Sequence, residues 1–214
     1  MAKSVWVGIL GLLAFLCQSA YGAGADFSAD MVQKNLKDQK EYVVGKLFMS
    51  HGRQRTEMAI SDQQAAGEYG HVLINVLNPA KGTMWQIFPD KKIYWERKGN
   101  YSADPPPLPG DSRHPCAQTL SCTKLGDDTV AGRQTEKWQI SMKQEGQSSL
   151  VWVDPKLGIP VREEITGLLA KELRNVKEEP QPDSLFEVPA GFQKVDPPAP
   201  PTGSQSSAPS QPPR

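Results

Sequence analysis

Several things are missing from this 214-residue chain, and each absence excludes a class of function. There is no excess charge of either sign: 24 basic side chains face 24 acidic ones, which argues against nucleic acid as a partner, since that would need a basic face. There is no G-x-S-x-G elbow, no G-x-G-x-x-G, no phosphate-binding loop and no H-E-x-x-H. Gly110-Asp111-Ser112 has the letters of an esterase block, but it sits in a proline-rich loop and not after a strand. Histidine is scarce: His51, His71 and His114 are separated by long stretches and mark no triad. The paired carboxylates Glu163 and Glu164 are neighbours on a strand and so face opposite ways. No residue is named as catalytic, none as a metal ligand, and no cofactor is implied. The expectation is a protein that is not an enzyme, with a secreted hydrolase as the last alternative.

No apolar run reaches the roughly 20 residues needed to span a bilayer as a helix. Val5 to Leu16 form a shorter run behind Lys3, and small residues follow at Ala20-Tyr21-Gly22 and Ala23-Gly24-Ala25. Residues 1–25 therefore read as a cleaved signal peptide, and the expected location is the periplasm. Acylation at Cys17, or full secretion, is the alternative, although Leu16 stands where a lipoprotein signal carries a small residue. Cys17 leaves with the signal, and Cys116 and Cys122 remain, spaced C-x5-C. In an oxidising compartment such a pair is expected to form a disulfide, and the spacing is not that of a zinc site.

What is present is a rhythm of short strands and turns. Strands are expected at Phe27–Gln33, Tyr42–Met49, Arg53–Ile60, His71–Leu77, Thr83–Phe88 and Lys92–Glu96, with a loop at Asp62–Gly67. Gly99 to Pro115 breaks this rhythm with Pro105-Pro106-Pro107 and Pro109-Gly110; it reads either as a loop gating a cavity mouth or as a surface insertion. Strands resume at Arg133–Met142 and Ser148–Val153. Asp154-Pro155 and Gly158 then force a reversal into Val161–Ile165. A short strand at Leu168–Val176 follows, and Leu185 to Pro189 is expected to close the sheet as a strand. Residues 26–195 form one domain in this reading. Residues 196–214, built of Pro, Ser, Gln and Ala, are expected to be a disordered tail.

Trp152-Val153-Asp154 with Gly158, Pro160 and Arg162 resembles the penultimate hairpin of the LolA-like superfamily of periplasmic lipoprotein carriers. A nearer resemblance, to DUF4412-type exported bacterial proteins, lies in Arg55–Met58, Met84–Tyr94, Lys124-Leu125-Gly126, Gly132–Trp138 and Leu185–Phe192. The resemblance implies a mainly β fold: a curved antiparallel half-barrel of about ten to eleven strands with little helix, around an apolar cavity. It also implies a binding or carrier protein for a lipid, an acyl chain or a lipoprotein. The alternative on the same fold is a regulatory envelope module that senses lipid or misfolded protein. Partners would be a lipid or lipidated protein and an envelope membrane protein. Trp85, Phe88, Tyr94, Trp95, Trp138 and Trp152 all fall on expected strands and are the candidate cavity lining. Strand parity allows only part of this set to face inward. Arg53, Arg55 and Arg162 are the candidates for a polar closure.

Overall fold

Alternating side chains and turn residues build a single sheet, seen in a computed structural model that describes residues 25–101, 108–109, 111, 116, 120–142, 148–165 and 169–197. The strands are β1 (Phe27–Asn35), β2 (Glu41–Ser50), β3 (Arg53–Ala59), β4 (Val72–Asn78), β5 (Thr83–Phe88) and β6 (Ile93–Lys98). There follow β7 (Leu120–Val130), β8 (Arg133–Met142), β9 (Ser148–Asp154), β10 (Ile159–Ile165), β11 (Leu169–Lys177) and β12 (Gln193–Lys194). Their spatial order is β12-β6-β5-β4-β3-β2-β1-β11-β10-β9-β8-β7, a curved, open sheet that does not close. Every pairing is antiparallel except that of β12 with β6. This is the half-barrel implied by the LolA-like resemblance.

The twelve strands exceed the ten to eleven expected, and the differences have local causes. β7 is absent from the expected strands because its residues are polar and most are exposed, so no apolar face announces it. The loop expected at Asp62–Gly67 is instead a short helix, α1 (Gln63–Tyr69). The Asp62 carboxylate caps it by accepting from the Ala65 amide at 2.7 Å, and Gly70, at φ +92°, ends it. Leu185 to Pro189 is not a strand. Asp183–Phe186 forms a 3-10 turn that drives Phe186 into the sheet, and the closing strand is β12. The short strand expected at Leu168–Val176 is β11, Leu169–Lys177, kinked where Asn175 takes φ +52°.

Two apolar clusters hold the sheet. Phe27, Ala29, Leu47, Val130, Trp152, Leu157 and Val161 form the first. Ile74, Val76, Trp85, Ile87 and Phe186 form the second, with Leu185, Val188 and Phe192 packed against it. The second cluster is therefore covered by the chain's own return, residues 178–195. This strap is pinned by Arg53 to Asp183 at 2.7 Å, by Arg55 to the Leu185 carbonyl at 2.9 Å, and by Lys81 to Glu187 at 2.7 Å.

The β9–β10 hairpin turns as its sequence dictates. The buried Asp154 carboxylate accepts from the amides of Lys156 (2.8 Å) and Leu157 (3.1 Å) and pairs with Arg133. Gly158, at φ +69°, completes the reversal. Cys116 and Cys122 are disulfide-bonded, with Cα atoms 5.5 Å apart, and tie the start of β7 to the preceding segment. Residues 1–24 of the expected signal segment, His114, most of the Gly99–Pro115 stretch and the tail beyond residue 197 lie outside the described residues.

Candidate binding groove

The groove is a product of bulges. Strand register slips by one residue between Met31 and Val32 where β1 meets β2, and again between Pro160 and Arg162 where β10 meets β9. An extra residue in one strand bends it and sharpens the twist. Both slips lie among the residues that line a groove of about 790 Å³. It crosses five neighbouring strands, with walls from β3 (Met58, Ala59), β2 (Tyr42–Val44), β1 (Met31–Gln33), β11 (Lys171–Leu173) and β10 (Pro160–Glu163). Most of the surface it presents is apolar.

Gly45 permits this geometry. A Cβ built there would lie 2.1 Å from the Glu57 carbonyl oxygen and 3.1 Å from Met58 Cγ. Neither the backbone of β3 nor the groove wall has room for it. Gly45→Ala is expected to cost about 1 to 3 kcal/mol of stability through overpacking, measured by urea unfolding with the m-value unchanged.

Several charges on the groove's margin are paired with one another, although the buried Nε of Arg162 has no hydrogen-bond partner among the described residues. Arg162 donates to Glu172 and Glu164, each at 3.1 Å. Arg174 donates to Glu172 at 2.7 Å and, through both terminal nitrogens, to Glu41 at 2.7 and 3.1 Å. The Arg174 guanidinium holds the Glu41 carboxyl below the usual carboxylate range, and these two carboxylates push Arg174 further up. Arg162 also lies 4.9 Å from the centre of the Trp152 ring, with Lys137 at 4.8 Å from the same ring.

The structure separates the six aromatic candidates from this groove: among the described residues, none of them lines it. Trp85 is buried in the second cluster and donates its indole N–H to Glu96 at 3.0 Å. Tyr94 packs on the same cluster beneath the strap. Phe88 and Trp95 form a three-ring group with Tyr69 of α1, with centroids 4.7 to 5.2 Å apart. Trp138 donates to Glu136 at 3.4 Å. Trp152 is buried in the first cluster and donates to Asp128 at 2.8 Å.

The three arginines also part company. Arg162 borders the groove, whereas Arg53 and Arg55 anchor the strap, Arg53 lying 4.5 Å over the Phe186 ring and Arg55 paired with Glu57 at 2.7 Å. Sequence reasoning missed the groove's aliphatic walls. The signal was the doublet Val43-Val44 followed by Gly45, which breaks the period of two at the bulge.

Ser50, His51 and Asp26 meet, but not as a nucleophile relay. The Ser50 hydroxyl (2.9 Å) and the Asp26 carboxylate (3.9 Å) both approach Nδ1 of His51, where a relay needs one partner on each ring nitrogen.

A family model, that of a domain of unknown function (DUF4412), matches residues 29–159. The chain belongs to the DUF4412 family. The matched span covers the sheet from β1 to the β9–β10 turn, including the β1–β3 side of the groove. No curated protein matches this DUF4412 chain. Among solved structures, an uncharacterized conserved protein from Thermus thermophilus is similar at 9% identity and a TM-score of 0.51, over 80% of this chain and 91% of that one. It shares the fold. A complex of MucA and MucB from Pseudomonas aeruginosa is similar at 13% identity and a TM-score of 0.49, over 81% of this chain and 59% of that one. A LolA superfamily protein from Nitrosomonas europaea is similar at 9% identity and a TM-score of 0.28, over 78% of this chain and 91% of that one. Among the described residues, no helix is long and apolar enough to cross a membrane.

Proposed function

We propose that this DUF4412 chain binds an apolar ligand (a lipid, an acyl chain or the lipid moiety of a lipoprotein) in the groove across β3, β2, β1, β11 and β10, without catalysing a reaction, in the bacterial periplasm. One observation carries the reading: the half-barrel leaves a groove of about 790 Å³ with an apolar wall open to solvent, and Tyr42 and Val43 in that wall stay 55% and 68% exposed. Apolar surface left in water on a single-domain protein marks a binding surface more readily than a structural one. The driving force is burial, at about 0.8 kcal/mol per CH2 removed from water. The bends at the bulges of β2 and β10 set the width of the groove, and the mutually paired Arg162, Glu164 and Glu172 leave its margin without a strong net field. Release then requires a competing acceptor or a wider groove, because affinity alone does not pass a ligand on.

The test is uptake of an apolar fluorescent probe by the purified protein. The expected result is saturable binding, displaced by lysolipid. Val43→Asp, at an exposed position, should weaken it by about tenfold, or 1.4 kcal/mol, with the melting temperature unchanged. Native mass spectrometry of protein taken from the envelope should show co-purified lipid. Absence of saturable uptake at any concentration below aggregation, together with a bare mass, removes the proposal.

A further inference from the structure

The large apolar side chains left exposed among the described residues are Tyr42, Val43, Leu125 and Ile165. Three of these four gather at one end of the sheet. Tyr42 pairs with Gln33 of β1, Gln33 with Lys171 of β11, and Lys171 with Glu163 of β10. Two residues further along, Ile165 pairs with Leu169, and Leu169 with Asn35. Tyr42, Val43 and Ile165 thus rim the same end of four adjacent strands, continuous with the groove that Tyr42 and Val43 line.

Tyr42 and Val43 are consecutive on a strand and so project to opposite faces. Both are more than half exposed, so neither face at the start of β2 is covered. A folded partner packed flat on the sheet would bury one of these faces and leave the other wet. A medium that surrounds the strand end buries both. The charges around the rim fit such a medium. Lys37 and Lys171 are exposed and, among the described residues, hold no ion pair. Lys34 and Lys40 lie beside them. Four of the five acidic side chains at this end are already held in ion pairs, Asp38 by Lys40, Glu41 by Lys34 and Arg174, Glu164 by Arg162, and Glu172 by Arg162 and Arg174, so Lys37 and Lys171 are the ammonium groups left to meet an anionic surface. A tyrosine and aliphatic side chains ringed by lysines form the composition that settles at a bilayer interface, with the apolar groups in the acyl boundary and the ammonium groups among anionic headgroups.

We propose that this strand end is a docking tip for an anionic phospholipid bilayer, inserting Tyr42, Val43 and Ile165 at the mouth of the groove. The biological sense of the docking rests on the groove's being a lipid site, since it would bring that site to a source or an acceptor. The docking itself does not depend on a ligand in the groove.

The experiment is flotation of the folded protein with vesicles of phosphatidylethanolamine and phosphatidylglycerol, and with vesicles of phosphatidylcholine alone. The wild type should float with the first set and release as salt rises. Ile165→Ser, at a residue that does not line the groove, should weaken partitioning several-fold, and the triple change Tyr42→Ser, Val43→Ser, Ile165→Ser by at least about tenfold. Lys37→Glu with Lys171→Glu should abolish the preference for anionic vesicles. Leu125→Ser, on β7 at the far edge of the sheet, should leave partitioning unchanged. No flotation of the wild type, or equal loss with Leu125→Ser, overturns the proposal. So does a vesicle-free doubling of mass that the triple change abolishes, which would give the tip to a second copy of the chain. Probe uptake measured without vesicles reads the groove separately: an Ile165→Ser protein that takes up probe but does not float supports docking, whereas a wild type that floats but takes up no probe removes the groove reading alone.

Discussion

Trp152→Ala is expected to lower stability by about 3 to 5 kcal/mol and to bring the melting temperature down by roughly 6 to 20 degrees on the usual scaling for a domain of this size. The residue is 5% exposed and sits in the first apolar cluster with Phe27, Leu157 and Val161. Three losses coincide. The cavity cannot collapse, because its walls are strands held in register on both sides, β8 opposite Lys137 and β10 opposite Arg162. Lys137 and Arg162 lose the ring face on which each rests. Asp128 loses the indole donor. That last loss has a pH signature. The Trp152 indole N–H, and after it the Thr129 amide, hold the Asp128 carboxyl below its ordinary range. A carboxylate so depressed favours the folded state above its unfolded pKa, and this contribution disappears as pH falls through the folded value. In the variant the Asp128 titration should move upward, which carbon-detected NMR resolves. Trp152→Phe should retain most of the packing and lose the bond, and so should show the titration change at a smaller stability cost. A Trp152→Ala protein as stable as the wild type would mean that the ring is not part of the core.

Phe186→Ala should be almost as costly, about 3 to 5 kcal/mol, though the residue lies on no strand. Its side chain is fully buried against Ile74, Val76, Trp85 and Ile87, and it supplies the centre of the strap that covers that face. Without the ring, Arg53 loses the surface 4.5 Å beneath it, and Leu185, Val188 and Phe192 are left to hold the strap. The expected sign is local loosening before global unfolding: amide exchange in β12 and at Glu57 should accelerate more than in β9 and β10. Phe186→Leu should lose under half as much. Equal acceleration across the whole sheet would show that the strap and the sheet unfold as one unit.

The sequence made the strands legible where apolar and polar residues alternate: β5 at Thr83–Phe88 and the β9–β10 hairpin lie close to where the residues put them. Legibility failed in two physical circumstances. β7 has no buried face to alternate, since from Thr123 to Thr129 its residues are exposed, so backbone pairing with β8 is its main support. The strap carries a strand-like composition, LFEVP, but packs side-on against a sheet already formed, and a 3-10 turn delivers Phe186 better than an extended segment would. The aromatic residues lie away from the groove for a related reason. A large ring satisfies itself by filling closed space, as Phe88, Trp95 and Tyr69 do against each other, whereas an open groove is walled by side chains such as Val43, Met58 and Leu173. The disulfide was readable because, with Cys17 assigned to the expected signal segment, two cysteines were left to pair.

β1, the first strand of the chain, pairs on one side with β2 and on the other with β11, whose residues lie some 140 positions later. The order of synthesis therefore matters to this molecule. As the chain emerges from its N-terminus, β1 to β6 can zip together by short reversals, but β1 is then a temporary outer edge and the second cluster has no lid. Both defects are repaired by residues after Leu169: β11 seals the edge, and Phe186 seals the cluster. A half-made chain is thus a sticky one, with a bare strand edge and a bare apolar face at the same time. Purified fragments ending near Lys98 should bind holding chaperones, and fragments ending near Val195 should not.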